Sequence, residues 1–554
     1  MAKLASIVDS YIAIDAGGTR LRGFESINGT HFAGSGVTHT SSLAIDLAQN
    51  IVAVIPQEIS EVETLVLSLA AIPQKIHDCQ LLAAAIMQRL KFNKLVIVSD
   101  TKAGALSGQS LAELTIVVGT GITGLVKTSK DSFELTGHGY LIGDEASGFW
   151  IGRSGLNAAL RAQEGRGPVT TLLESAIDFF RCPAAALADH LHQLENPVSQ
   201  IAAFAPHVAK AAQTGDQQGL LILDQSAQEI ASLIKAAQER AHISTVALFG
   251  GAIPHGELLH SKVVAASKDL GITFIDGASE PLVGACKIAQ DKKLQSELIT
   301  VVSSEISTHI WSKLYLLKAQ GLLGTVAITQ QDSVATCVKF FADTLADNKM
   351  IHTFGTGHSH LLAEEIFYRA GGLATIYPIL DERLMLHKDV LKGSQYERLP
   401  DLAKELLSKH PIVAGDVVIV ISNSGGNQVT IDLVNLAKAA GAKVIAVTSL
   451  NHATSSSARS HATQKIHQLA DVVLDNSGVV GDASVRVAGS LMSVGPTSTV
   501  VGGALLQSVV VGTVAELIKR GIEPEIFLSS NLANGDENNA ALFDKYRPLI
   551  DLYN

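Results

Sequence analysis

The chain has 554 residues, a formal net charge of −11, 47% hydrophobic residues and only 17% charged ones, which excludes a disordered chain and leaves room for two to four well-filled domains. An acidic balance with no basic patch argues against nucleic acid as a partner. The four cysteines, Cys79, Cys182, Cys286 and Cys337, are scattered with no CxxC pair, which argues against a zinc site, an iron–sulfur cluster or a disulfide framework.

The opening residues, MAKLASIVDSYIAIDAGG, run into a strand–turn pattern and lack the basic start and long apolar core of a signal peptide, so a cytoplasmic protein is expected. Strands are predicted at IAIDAGGT, LRGFES and THFAGSG, then at LVLSLA, KLVIVSD, LTIVVGT and VALFG, with helices around 43–55 and 78–90. Strands alternating with helices predict an α/β domain. Around residue 291 the pattern turns to a polar helical stretch, DKKLQSEL, and an amphipathic helical region reaches to about Asn348. A fresh series of strand–loop–helix units begins at MIHTFGTG and continues at DVVIVISNSGG and KVIAVTS, which predicts a doubly wound parallel sheet. The expected division is a first domain over 1–292, a linker helix region over 293–305 and a second domain over 306–554. The uncharged run from Thr497 to Ala515 is broken by Thr, Ser, Gln and Gly, and is expected to be a buried helix, with no membrane span.

Three glycine-rich turns at strand ends mark the first half as a nucleotide clasp. In Asp15-Ala-Gly-Gly-Thr19 the glycines Gly17 and Gly18 let backbone approach phosphate, Thr19 adds a hydroxyl, and Asp15 can hold a hydrated magnesium ion. A second turn carries Gly119, Thr120 and Gly121, and a third carries Gly250 and Gly251, where a flat adenine can lie against backbone. In an acidic protein, such phosphates are expected to be held by local dipoles and N–H groups. Asp100, just past a strand's carboxyl end, is a candidate general base for a sugar hydroxyl, or else simply the N-cap of the next helix. Asp144 and Glu145, in GHGYLIGDEASGFWIGR, are either sugar-hydroxyl ligands or turn-capping carboxylates.

The order IDAGGT, VSDTKAGAL, VVGTGITG, GHGYLIGDEASGFWIG, LFGGAI, EPLVGACKIA resembles the BadF/BadG/BcrA/BcrD-type ATPase family, and within it the N-acetylglucosamine kinase branch of the actin/hexokinase-like superfamily. The resemblance implies two RNase H-like lobes around ATP and Mg²⁺, with Asp100 as general base, Asp144 on the sugar and the three glycine turns on the nucleotide. Family members usually carry an Asn after the third strand. Here the stretch is Gly36-Val-Thr-His-Thr-Ser-Ser42, so Thr38 or His39 is expected to contact the sugar.

In the second half, Phe354-Gly-Thr-Gly-His-Ser359 precedes a helix expected over His360–Ala370, and small residues plus Ser at a helix start form an anion site. The third Gly of a dinucleotide fingerprint is missing. Ile421-Ser-Asn-Ser-Gly-Gly-Asn-Gln428 leads into a helix over Val429–Ala439, and its hydroxyls suit a monophosphate or, more plainly, an N-cap. These segments resemble the sugar isomerase (SIS) domain, and SGVVGDASV, VGPTSTVVGGALLQSVV and FLSSNLANGDENN resemble its UPF0309 branch. The resemblance implies a five-stranded parallel sheet, a homodimer, and phosphate contacts from Ser359, Ser422, Ser424 and Asn427, with Asn423 between them. Glu365 and His387 are the candidate acid/base groups. The whole reads as an ATP-dependent amino-sugar kinase fused to a domain that binds a sugar phosphate and isomerises, deaminates or cleaves it, or else only senses it.

Overall fold

Strand β1 (Tyr11–Ala16) is buried at every residue, as a central strand covered on both faces must be. It pairs antiparallel with β2 (Arg20–Glu25), which pairs with β3 (Thr30–Ser35), and parallel with β4 (Glu61–Leu69), which pairs with β5 (Lys91–Ser99). The computed structural model describes residues 9–17, 20–36, 43–70, 72–73, 75–107, 112–128, 132–194, 197–253, 257–275, 280–456 and 464–553. Gly18, Thr19, Thr38 and His39 lie outside these described residues.

A second sheet repeats the same plan. Strands β6 (Leu114–Val118), β7 (Ile122–Lys127) and β8 (Ser132–Thr136) form an antiparallel meander, β9 (Thr245–Phe249) adds a parallel strand beside β6, and β10 (Thr273–Phe274) another beside β9. Three antiparallel strands followed by two parallel ones recur in both sheets, the duplicated α/β plan that the resemblance to the actin/hexokinase-like superfamily implies. Strand β11 (Ile299–Val302) extends the first sheet by pairing antiparallel with β5. The stretch 293–305, expected as a linker helix region, therefore holds an edge strand, for which its Ile-Thr-Val-Val run is suited by β-branching.

The chain forms two compact units, residues 1–310 and 311–554. In the first, helix α1 (Asp100–Leu106) follows β5, α2 (Gly148–Gln163) follows the GDEAS turn, and α3 (Pro281–Gln290) packs on α1. A Cβ on Gly284 of α3 would stand 1.7 Å from the Ala103 carbonyl oxygen, so only glycine allows this contact.

In the second unit, β12 (Ile351–Gly355), β13 (Ile376–Pro378), β14 (Val417–Ile421), β15 (Lys443–Thr448) and β16 (Val472–Asp475) form a parallel sheet in the order β13-β12-β14-β15-β16. Alternate residues feed separate cores. Ile419, Ile421, Ile445 and Val447 join α4 (Gln331–Ala346) and the long apolar helix Ser498–Lys519, whereas Val418, Val420, Val444 and Ala446 join the helix Gln428–Ala439. Helix Ser498–Lys519 is long and apolar enough, by composition, to cross a membrane. Its Val501, Leu505, Leu506, Val509 and Val510 are instead core residues beneath the sheet.

The helix expected over His360–Ala370 is shorter: α5 runs from His360 to Glu365. Tyr368 takes a φ of 39°, and its ring packs 5.1 Å from that of Phe527 and 5.3 Å from that of Phe543. The aromatic cluster and the bond from the Gly371 N–H to the Phe527 carbonyl (2.8 Å) turn the chain out of the helix.

Candidate active sites

In the first unit the register places Asp15 opposite Ser68 and Ser68 opposite Val98, so the carboxyl ends of β1, β4 and β5 lie side by side. Asp15 is buried; its carboxylate accepts from the Ser68 hydroxyl at 3.2 Å and from the Arg22 guanidinium at 2.8 Å. Arg22 reaches on to Glu280, next to α3, at 3.3 Å. Burial pushes the Asp15 carboxyl up, against the opposing pull of Arg22 and Ser68. Arg22 is a cation beside a turn where phosphate was expected to be held by local dipoles, N–H groups and the Thr19 hydroxyl. Its signal was present, because a hairpin places Asp15 and Arg22 directly opposite one another.

Asp100 opens α1, yet the capping is done by Ser99, whose hydroxyl oxygen accepts from the Lys102 N–H at 3.2 Å. Asp100 itself accepts from the Thr101 N–H at 2.7 Å. Burial, then the nearby charge of Asp15, raises its carboxyl to about 6. That value suits a group which must be ionised near neutrality and still take a proton. Ser99 also donates to Glu134 on β8 at 2.8 Å, tying the first sheet's carboxyl edge to the second sheet.

The turn after β6 docks on α2. The α2 N–H groups of Gly148 and Phe149 donate to the carbonyls of Gly119 and Thr120 at 2.8 and 3.0 Å, and the Gly119 N–H donates to the Gly121 carbonyl at 2.8 Å. Asp144, held at a φ of 62°, lies against this turn and accepts from the Ile122 N–H at 3.4 Å. A Cβ on Gly121 would stand 2.9 Å from its carboxylate. The structure thus brings Asp144 to the Gly119–Gly121 turn, while Glu145 is exposed. The two glycines after β9 differ. Gly250, at a φ of +114°, sits so close that a Cβ would meet the Val118 carbonyl oxygen at 2.1 Å, whereas Gly251 faces open space. Gly17 donates to the Arg20 carbonyl at 3.1 Å and shapes the first hairpin.

These residues fit a nucleotide carrying its own magnesium. No group of three or more His, Cys, Asp or Glu side chains forms a metal cage among the described residues. Mg²⁺ is commonly held by one or two carboxylates together with substrate phosphates. Asp15 is such a carboxylate, with Arg22 as its present partner.

In the second unit the sheet order reverses direction between β12 and β14, and in open parallel sheets the crevice outside the strand ends at that point receives ligands. Both serine-bearing turns lie there. Ser359 ends the turn after β12; Ser422, at the end of β14, accepts from the Gly425 N–H at 3.1 Å. Asn423 is anchored: its carbonyl accepts from the Thr448 hydroxyl at 3.1 Å and its side-chain oxygen from Asn476 at 3.0 Å. Ser424 is half-buried in the same turn. Asn427 donates to Glu397 at 2.9 Å. Glu397 carried no sequence signal, since only the tertiary fold brings it to this turn. Glu365 pairs with Arg369 at 2.8 Å, and Gln507 of the helix Ser498–Lys519 donates to it at 3.5 Å. His387 is exposed. The structure therefore gathers Ser422, Asn423 and Asn427 in one turn, and gives Glu365 partners outside it.

The model of the BadF/BadG/BcrA/BcrD ATPase family matches residues 14–289, and that of the SIS domain matches residues 314–449. A UPF0309 protein of Listeria innocua is 41% identical over 231 residues, which are 42% of this chain and 94% of that protein. Among solved structures, a candidate N-acetylglucosamine kinase from Chromobacterium violaceum is 22% identical, with a TM-score of 0.40 over 51% of this chain and 100% of its own. A phosphoheptose isomerase from Neisseria gonorrhoeae is 14% identical, with a TM-score of 0.26 over 38% of this chain and 98% of its own.

Proposed function

The chain belongs to the UPF0309 family and joins a BadF/BadG/BcrA/BcrD ATPase domain to a SIS domain, and from that premise we propose an ATP-dependent amino-sugar kinase whose second unit receives the sugar phosphate. The observation that carries the first half is Asp100. It stands at the carboxyl end of β5, relieved of capping by Ser99, with its carboxyl raised to about 6 by burial and by Asp15.

Bound ATP with Mg²⁺ would supply the phosphoryl group and neutralise its charge. Asp100 takes the proton from the attacking sugar hydroxyl, most simply the 6-hydroxyl of an N-acetylhexosamine. Asp15 is the carboxylate for the metal. Gly17, Gly18 and Thr19 serve the phosphates from one side, and Gly119, Thr120 and Gly121 from the other. Gly251 borders the adenosine, with Gly250 fixing the turn that carries it. Asp144, Thr38 and His39 are the sugar contacts in this reading. Catalysis is then mostly positioning and charge neutralisation.

In the second unit, Ser359, Ser422, Ser424 and Asn427 hold the phosphate of the product, as a cytoplasmic homodimer in the same reading. Glu365 and His387 are its acid/base candidates for isomerisation, deamination or ether cleavage. The pairing of Glu365 with Arg369 and Gln507 favours a second reading, in which this unit senses the sugar phosphate without consuming it.

The test is a coupled ADP-release assay of the full chain over a panel of N-acetyl sugars. At least one sugar should release ADP, and Asp100→Asn should slow that release at least about 100-fold. A folded protein that releases ADP with none of them sinks the kinase reading. Consumption of the corresponding sugar phosphate decides between enzyme and sensor for the second unit.

A further inference from the structure

Helix α6 (Val390–Tyr396) ends at Glu397, its C-cap, and the side chain of Glu397 reaches the crevice between the two turns. One carboxylate oxygen accepts from the Asn427 side chain at 2.9 Å. The other lies 3.5 Å from where a Cβ on Gly357 would be. Glu397 therefore touches a residue of the turn after β14 and lies against one of the turn after β12. Asn427 is the N-cap of α7 (Gln428–Ala439), so the carboxylate also sits where the positive end of that helix favours an anion. The Glu397 carbonyl accepts from the Val429 N–H at 3.1 Å, which staples the end of α6 to the first turn of α7. Otherwise α6 is weakly covered: Val390 is 61% exposed and Leu391 80%.

We propose that Glu397 is an internal occupant of the phosphate cradle, which a sugar phosphate must displace to bind. The inference rests on the reading of the second unit as a sugar-phosphate site, and adds how that site is gated. The physical reason is competition of like charges. A phosphate on Asn427 and between these turns would lie within a few ångströms of an ionised carboxylate, among half-buried side chains where repulsion is screened less than in bulk water. Asn427 has two side-chain N–H donors, and one of them is given to Glu397. Phosphate binding thus moves the Glu397 side chain out and loosens α6, whose tether to α7 runs through the same residue.

Calorimetric titration of the full chain tests this, with inorganic phosphate and glucosamine 6-phosphate as probes. Glu397→Gln keeps the shape and removes the charge, and should bind both probes about tenfold more tightly than the unaltered protein, the effect of about 1.4 kcal/mol. Glu397→Asp keeps the charge but shortens the reach, and should also bind more tightly. Without any variant, amide exchange over residues 390–397 should accelerate when the probe is added. Unchanged or weaker binding by both variants overturns the proposal, as does slowed exchange over 390–397, because either result would make Glu397 a contact of the bound sugar. If neither probe binds the unaltered protein or either variant, the sugar-phosphate reading itself fails and takes the gate with it. That outcome differs from equal, measurable binding in all three proteins, which overturns the gate alone.

Discussion

Arg22 donates to Asp15 across the first hairpin at 2.8 Å and to Glu280, next to α3, at 3.3 Å. One guanidinium thus ties the turn that is to meet phosphate to the start of a helix 258 residues later in the chain. Arg22→Met leaves a buried carboxylate without its counter-charge. The variant should lose about 1–2 kcal/mol of stability in urea unfolding, and adding Asp15→Asn should recover most of it. A loss in the double variant equal to the sum of the two single losses would show that the pair is not coupled.

Asp100→Asn should lower kcat by about 10²- to 10⁴-fold, the usual contribution of a general base. In the unaltered protein, kcat/KM should fall as pH drops through about 6, where the Asp100 carboxyl takes up its proton. The stability effect has the opposite direction. The folded carboxyl binds its proton more tightly than the unfolded one, so between about pH 4 and pH 6 rising pH removes stability. Asp100→Asn should therefore melt higher than the unaltered protein at pH 7 while turning over more slowly. A lower melting temperature at pH 7 would contradict the burial that raises this group.

Gly250→Ala and Gly251→Ala should separate structure from ligand contact. At position 250 the added methyl meets the Val118 carbonyl oxygen at 2.1 Å and the backbone has a φ of +114°, so the variant should be poorly soluble or strongly destabilised. At position 251 there is open space, so melting should match the unaltered protein, while KM for ATP rises. Equal behaviour of the two variants would remove the case for Gly251 bordering the nucleotide.

Glu365→Gln tests the second unit's chemistry. Its ion pair with Arg369 is largely exposed, so the variant should unfold within about 1 kcal/mol of the unaltered protein. If Glu365 moves a proton, turnover of the sugar phosphate should fall at least about 100-fold with binding retained. Unchanged turnover would remove Glu365 from the mechanism.

The sequence determined what is local or periodic. Apolar runs ending in Gly, Ser or Asp specified the strands, because buried parallel strands need continuous apolar faces. The glycine turns specified where backbone approaches a ligand or another backbone, and Asp100 was legible because it closes such a run. Tertiary structure decided what is distant. Whether Gly250 faces a ligand or a neighbouring strand depends on how β9 packs against β6. The end of α5 at Glu365 depends on an aromatic cluster drawn from residues 367–553. Glu397 reached the cradle only because the sheet brings the end of α6 beside Asn427, 30 residues later in the chain, and against Gly357 of the turn after β12. Side-chain charge is felt through space rather than along the chain, and so the partners of Asp15, Glu365 and Asn427 were fixed by folding.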